Sequence, residues 1–299
     1  MKRACLLSVA LFAALYAAYA WWLWPRVPMP GPPILAFFGA VGTAMLLSSL
    51  FETRQLVRDL SALSREEAGA AMEEGRVEAA SGPIVPLGEP LAAPFTGRPC
   101  VAYEYEVESR AASGGESAPK PATGVALTPS VVKSRRGDVA FLGWALLDEV
   151  PKKRVKDDEG VARARAYLEG LAPGQVERLG IGNALGTLQG LLADDDGWIR
   201  KDWRTTDAPF DPAECRLLEK AVPAGETVTV FGRYDSAKGG LGPARTGGAA
   251  VNRLFLGGGD ALKAKLRSDA TKKILTTLLF FVAFNGMALA VVLLASRPG

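Results

Sequence analysis

The sequence predicts a membrane protein in which two N-terminal and one C-terminal transmembrane helices flank a mainly-β (α+β) soluble domain. Three observations predict it. Residues 4–24, 34–51 and 274–295 carry no charged side chain, and each run approaches the roughly 20 helical residues that cross a bilayer core. The chain is 48% hydrophobic yet 22% charged, too apolar for an ordinary soluble domain and too polar for spans alone. Between the runs, Val101, Tyr103, Tyr105 and Val107 alternate with Ala102, Glu104, Glu106 and Glu108, the period of a half-buried strand.

The first run ends on Trp21, Trp22 and Trp24, rings suited to a membrane interface. A second reading stands beside it: Met1-Lys2-Arg3, the apolar stretch and Ala18-Tyr19-Ala20 resemble a cleavable signal peptide. The linker over residues 25–33, rich in proline, predicts a short turn into the second run. Basic residues flank the runs unevenly. Lys2, Arg3, Arg54, Arg58, Lys263, Lys265, Arg267, Lys272 and Lys273 lie on one side, Arg26 and Arg297 on the other. That bias predicts residues 52–273 on the cytoplasmic side. Lys263, Lys265, Arg267, Lys272 and Lys273 serve as an orienting flank or, alternatively, as a contact for anionic lipid. Asn285, mid-way along the third run, predicts a hydrogen-bond partner among Thr43, Ser48 and Ser49. Gly39 and Thr43 offer a small-residue face for close packing.

The expected order is residues 1–51 for the N-terminal helices, 52–74 for an amphipathic connecting helix, 75–262 for the β-rich domain, and 263–299 for the basic flank and last helix. Leu56, Leu60 and Leu63 give the connecting helix its apolar spacing, and Gly75 marks its end. Strands begin at residue 76, with turn signals at Ser81-Gly82-Pro83 and Thr96-Gly97-Arg98-Pro99. Residues 111–124 read as a loop. Residues 130–148 predict a pair of apolar strands. The charged stretch 151–159 leads into a helix over 160–171 with Val161, Ala164, Tyr167, Leu168 and Leu171 on one face. Residues 194–204, with Trp198, Arg200 and Asp202 alternating, predict a hairpin arm. Residues 215–234 predict a short helix, a Pro-Ala-Gly turn and a strand carrying Val228 and Val230, with Gly-rich loops at 239–248 and 257–259.

The chain has three cysteines and no histidine. This excludes a disulfide framework, a Ser-His-Asp triad, a Cys-His pair and a histidine-ligated metal. Cys100 and Cys215 are expected as reduced thiols on the cytoplasmic side, with one bridge between them open in an oxidising compartment. Glu104, Glu106 and Glu108 have the spacing of an acid/base pair, but any strand produces it, and a solvent face is the expected role. Ser130 and Lys133 match a Ser-x-x-Lys pattern, yet two intervening valines favour a strand that separates them. Asp194, Asp195 and Asp196 lack the ligand spacing of a calcium loop. Residues 180–186 do not fit a dinucleotide loop, and basic residues are not interleaved with aromatics as nucleic acid requires. No catalytic residue, metal site or cofactor is expected from these residues.

Two stretches resemble the GIDE domain, also called BAM for "beside a membrane". Leu91, Pro94, Gly97, Cys100, Val101 and Tyr103 follow its opening pattern; Glu219, Val222, Gly225, Val228, Val230 and Gly232 follow its closing one. The likeness covers residues 75–299 and is poor over 150–210. The resemblance implies a membrane-bound protein related in layout to E3 ubiquitin ligases of mitochondria or chloroplasts, which carry a zinc-binding RING after the last span. A RING needs about eight Cys or His ligands. This chain has three cysteines and ends four residues past the third run, so no RING of its own is expected. The expectation is a non-catalytic, membrane-anchored module that binds a protein partner. The alternatives are a ubiquitin-ligase-like component working with a RING on another chain, and a lipid-binding or envelope-organising structural protein.

Overall fold

The computed structural model describes residues 2–27, 31–109, 121–171, 176–178, 198–204, 210–243 and 252–295. The chain divides into two compact units, one of residues 1–60 with 264–299, the other of residues 61–263.

Helix α1 (Lys2–Leu23) and most of helices α2 (Gly31–Glu67) and α4 (Gly259–Ala295) make up the first unit. Pro32 and Pro33 occupy the first turn of α2, where the missing amides would have no partner anyway. Two helices, α2 and α4, are long and apolar enough to cross a membrane by length and composition; α1 carries a shorter apolar stretch, Ala10–Leu23, among the described residues. Leu23, Leu35, Ala36 and Val292 form a small core from all three helices.

Asn285 has a partner outside the expected set. The Tyr19 hydroxyl of α1 donates to its Oδ1 at 2.6 Å, and the same hydroxyl lies 2.8 Å from Thr43 Oγ1. Thr43 is thus reached through Tyr19 rather than directly. Gly39 explains the geometry: a Cβ there would sit 2.8 Å from the Tyr19 ring. The small face of α2 packs closely, as expected, and its occupant is an aromatic ring.

The second unit is mainly β. Helix α2 stops at Glu67, short of Gly75. Gly69, at φ 67°, lets the Ala70 amide reach the Arg65 carbonyl and its own amide reach that of Glu66, closing the last turn as glycine commonly does. Strands β1 (Val77–Pro86), β5 (Ser130–Ser134), β6 (Gly137–Phe141), β13 (Gly240–Gly242) and β12 (Thr227–Asp235) pair in that order, and β12 pairs back onto β1. These five close a ring, with β14 (Arg253–Leu256) and β7 (Leu146–Asp148) continuing from β12. The second sheet runs β8 (Lys153–Val155), β11 (Cys215–Pro223), β3 (Pro99–Ser109), β4 (Ala122–Leu127), β10 (Ile199–Arg204) and β9 (Val176–Arg178), with β2 (Leu91–Ala92) on β3.

One core lies between the sheets and draws on both, among others Ile84, Val101, Leu127, Phe141, Trp203, Val228 and Leu254. On the other face of the second sheet, Phe95, Tyr103, Tyr105, Val107 and Leu217 pack under helix α3 (Asp158–Glu169) through Ala164 and Leu168. Helix α3 begins where Asp157 accepts the Gly160 amide at 2.9 Å, an N-cap of ordinary form. The expected helix face is present, as is the β5–β6 strand pair.

Five local expectations yield to tertiary pairing. Ser81-Gly82-Pro83 is not a turn but lies within β1, paired with Thr229, Val228 and Thr227 of β12; glycine is needed at 82 because a Cβ there would collide with the Lys133 carbonyl oxygen. Residues 215–222 form β11 and not a helix, because they pair with β3 from Cys215↔Ser109 to Val222↔Ala102. Of the hairpin arm expected at 194–204, residues 199–204 do form a strand, but β10 takes β4 and β9 as its partners and buries Asp202 and Trp203. Gly240–Gly242, within the expected 239–248 loop, forms β13 beside β6. The loop expected at 111–124 ends sooner, because Ala122 to Gly124 already belong to β4 and pair with β3; its residues 111–120, the aspartates 194–196 and residues 180–186 lie outside the described residues.

Candidate functional site

The strand that alternates tyrosine with glutamate brings the domain's titratable groups together. Strand β3 lies between β11 and β4, so its tyrosines enter the layer beneath α3 while its glutamates face the opposite way. Asp202 on β10 falls level with Gly124 of β4, which in turn pairs with Tyr105. Gly124 has no side chain to block the gap. A Cβ there would lie 2.4 Å from the Tyr105 ring and 2.5 Å from Asp202 Oδ1.

Through that gap the Tyr105 hydroxyl donates to Asp202 Oδ1 at 2.7 Å, and the Tyr167 hydroxyl of α3 donates to the same oxygen at 3.1 Å. Tyr103 and Tyr167 hydroxyls are 2.9 Å apart. Arg200 closes the cluster, 3.6 Å from Asp202 Oδ2 and stacked over the Tyr167 ring. Burial first, then the neighbouring Asp202 carboxylate, pushes the Tyr105 hydroxyl far above its ordinary range. Burial and Tyr167 do the same for Tyr103, and burial, then Asp202, raises Tyr167 to about 12. The phenols are therefore neutral donors at any physiological pH. Tyr105 and Tyr167 hold one carboxylate between them, and Tyr103 bonds to Tyr167.

A second buried carboxylate, Glu78 of β1, lies between two guanidinium groups. Arg65, in the last turn of α2, and Arg136, in the β5–β6 turn, each approach it at 3.2 Å. Arg65 also donates to the Val77 carbonyl at 2.8 Å, and Arg136 donates to the carbonyls of Ala70 and Ala79. The group ties helix, strand and hairpin into one joint.

A third joint connects the stretch from Leu91 to Tyr103 with the stretch from Glu219 to Gly232. Glu219 of β11 accepts the Phe95 amide at 2.7 Å, the Thr96 amide at 3.3 Å and the Thr96 hydroxyl. Gly97, at φ 67°, completes this turn, and Arg163 of α3 donates to the Phe95 carbonyl at 3.0 Å. Glu219 therefore anchors the loop that leads into β3.

The acidic face of β3 differs from the expected open one. Glu104 pairs with Lys220 at 3.5 Å and Glu106 with Lys152, and both carboxylates are largely covered. Ser130 is buried and donates to the Thr128 carbonyl, while Lys133 is exposed on β5, so that pair is separated as the strand reading requires. Among the basic flank, Lys263 pairs with Glu67. Cys100 and Cys215 are free thiols, both buried. No group of three or more Asp, Glu, Cys or His side chains suited to a metal occurs among the described residues.

The Tyr–Asp cluster and the Glu78 joint had no local signal beyond residue type. Burial of Asp202 depends on Gly124, and burial of Glu78 on Arg136, both far away in sequence. Comparison with protein-family models, curated proteins and solved structures finds no match.

Proposed function

We propose that this chain is a multi-pass membrane protein whose β-rich domain is a GIDE-like, non-catalytic module that binds a protein partner on the cytoplasmic side of the membrane. The observation that carries the reading is the Glu219 joint: a residue of the closing pattern holds the turn of the opening pattern through three hydrogen bonds. Two stretches that resemble one domain's signature are thereby parts of one structural element. Titratable groups used internally, as in the Tyr–Asp cluster, support a binding role over a catalytic one.

Three spans form the anchor in this reading. Helix α1 joins α2 and α4 as the third, supported by the Tyr19 contacts to Thr43 and Asn285 and by complete burial of Leu23. An amide in a span is stabilised by such a partner by about 0.6–2 kcal/mol.

The test is cross-linking in intact membranes, purification through a C-terminal tag and mass spectrometry, beside a control that carries the helices without residues 75–260. A protein recovered with the full chain and absent from the control supports the module. Recovery of the chain alone overturns the partner-binding reading, and a ubiquitin-conjugation component among the partners would place the alternative first. The mass of the mature protein decides whether residues 1–20 remain attached.

A further inference from the structure

Within the first unit, α1, α2 and α4 leave a groove of about 450 Å³ with unlike ends. Lys273, Thr277, Ser48 and Ser49 line one end, and Phe12 and Met45 are among the apolar residues of the other. Its positions on α2 run from residue 41 to residue 49, roughly 12 Å along a helix axis. Ser49 and Thr277 are buried hydroxyl residues in otherwise apolar runs, and Met45 is exposed. The polar end falls where the second run finishes and the third begins, beside Arg267 and Lys272 in sequence. A cation and hydroxyls above an apolar wall match the two halves of an amphiphile, and basic pockets between membrane helices suit anionic headgroups.

We propose that this groove is a binding site for an anionic glycerophospholipid, with the phosphate at Lys273, Ser48 and Thr277 and one acyl chain along Met45 and Phe12. The inference rests on the reading of α1, α2 and α4 as membrane spans. Charge decides the lipid class. A zwitterionic headgroup brings its own cation toward Lys273, Lys272 and Arg267, whereas a net negative one brings none. Lysine is suited to the position because its stem packs on the apolar wall while its ammonium reaches the interface.

The test uses the full chain in phosphatidylcholine vesicles doped with a photoreactive phosphatidylglycerol, or with a photoreactive phosphatidylcholine at the same fraction, the reactive group lying mid-way along one acyl chain. Mass spectrometry then locates the adducts. Phosphatidylglycerol is expected to label peptides containing Phe12 or Met45 several-fold more than phosphatidylcholine does. Lys273→Gln is expected to lower phosphatidylglycerol capture about fivefold, equivalent to ~1 kcal/mol, and Ser48→Leu, which fills the polar end with carbon, to lower it similarly. Lys265→Gln removes the same charge from α4 outside the groove and is expected to change capture less than twofold. Equal labelling by the two lipids overturns the site, and so does an equal loss from Lys265→Gln, which would mean a diffuse basic collar. A chain that alkaline carbonate strips from the vesicles overturns the spanning reading and the site with it; a chain that resists carbonate but labels equally overturns the site alone.

Discussion

The Glu219 carboxylate accepts the Phe95 amide at 2.7 Å, joining β11 to a turn more than a hundred residues earlier in the chain. The contact is almost completely shielded from water at Glu219, so its loss leaves buried donors without an acceptor. Each such donor costs about 1–3 kcal/mol. Glu219→Ala is expected to destabilise the full chain by about 2–4 kcal/mol, and Glu219→Gln, which keeps one acceptor oxygen, by less. Thermal unfolding in detergent followed by tryptophan fluorescence measures both. Equal losses from the two variants would mean that the turn does not depend on the acceptor.

Glu78 is fully buried, and Arg136 nearly so, while Arg65 retains some exposure. Removing one partner of a buried pair leaves an uncompensated charge and costs about 3–5 kcal/mol. Glu78→Ala and Arg136→Ala are each expected in that range, Arg65→Ala below it. The double variant Glu78→Ala/Arg136→Ala is expected to lose less than the sum. Additive losses in a double-mutant cycle would refute the coupling.

Alkaline pH tests the tyrosine cluster. Burial and Asp202 raise Tyr167 from its ordinary 10 to about 12, so between those values the unfolded chain has released a proton that the folded chain retains. Folding then binds more protons than unfolding, and stability falls as pH rises. The contribution is complete below pH 10 and is lost as pH passes through about 12. Tyr167→Phe is expected to give a shallower decline over this window in unfolding experiments at fixed ionic strength. An unchanged slope would remove Tyr167 from the account.

Cys100 should be chemically silent in the folded chain. Burial, with the Glu219 carboxylate adding to it, pushes its thiol up to about 12, and the thiolate is the reactive form. Maleimide labelling of Cys100 is expected only after unfolding. A bridge to Cys215 is also excluded by register. Cys100 pairs with Pro223 and Cys215 with Ser109, which separates the two thiols by most of a strand, roughly 25–30 Å. Disulfides require Cα atoms within about 7 Å. Non-reducing peptide mapping after oxidation should find no Cys100–Cys215 link, and finding one would require a rearranged ladder.

Periodicity and charge exclusion along the chain were sufficient for the apolar runs of α2 and α4, the α3 face built on Ala164 and Leu168, the β5–β6 pair and the Gly225 turn. Each depends on neighbours within a few residues, whose spacing is printed directly in the sequence. The identity of β11 as a strand was not legible, since Leu217 and Leu218 are adjacent as in a helix and the buried member of the alternation is the charged Glu219. Its state depends on β3 and on the Phe95 turn. The same holds for Gly82, a turn residue locally but a crossing point once Lys133 lies against it, and for Asn285, whose partner proved to be Tyr19. Where a charge or amide is buried, its cost is offset only by groups brought from elsewhere in the chain. By itself the sequence determined the local periods and the apolar runs. Tertiary structure alone decided which charges lie inside, because desolvation is compensated by contacts that no local pattern encodes.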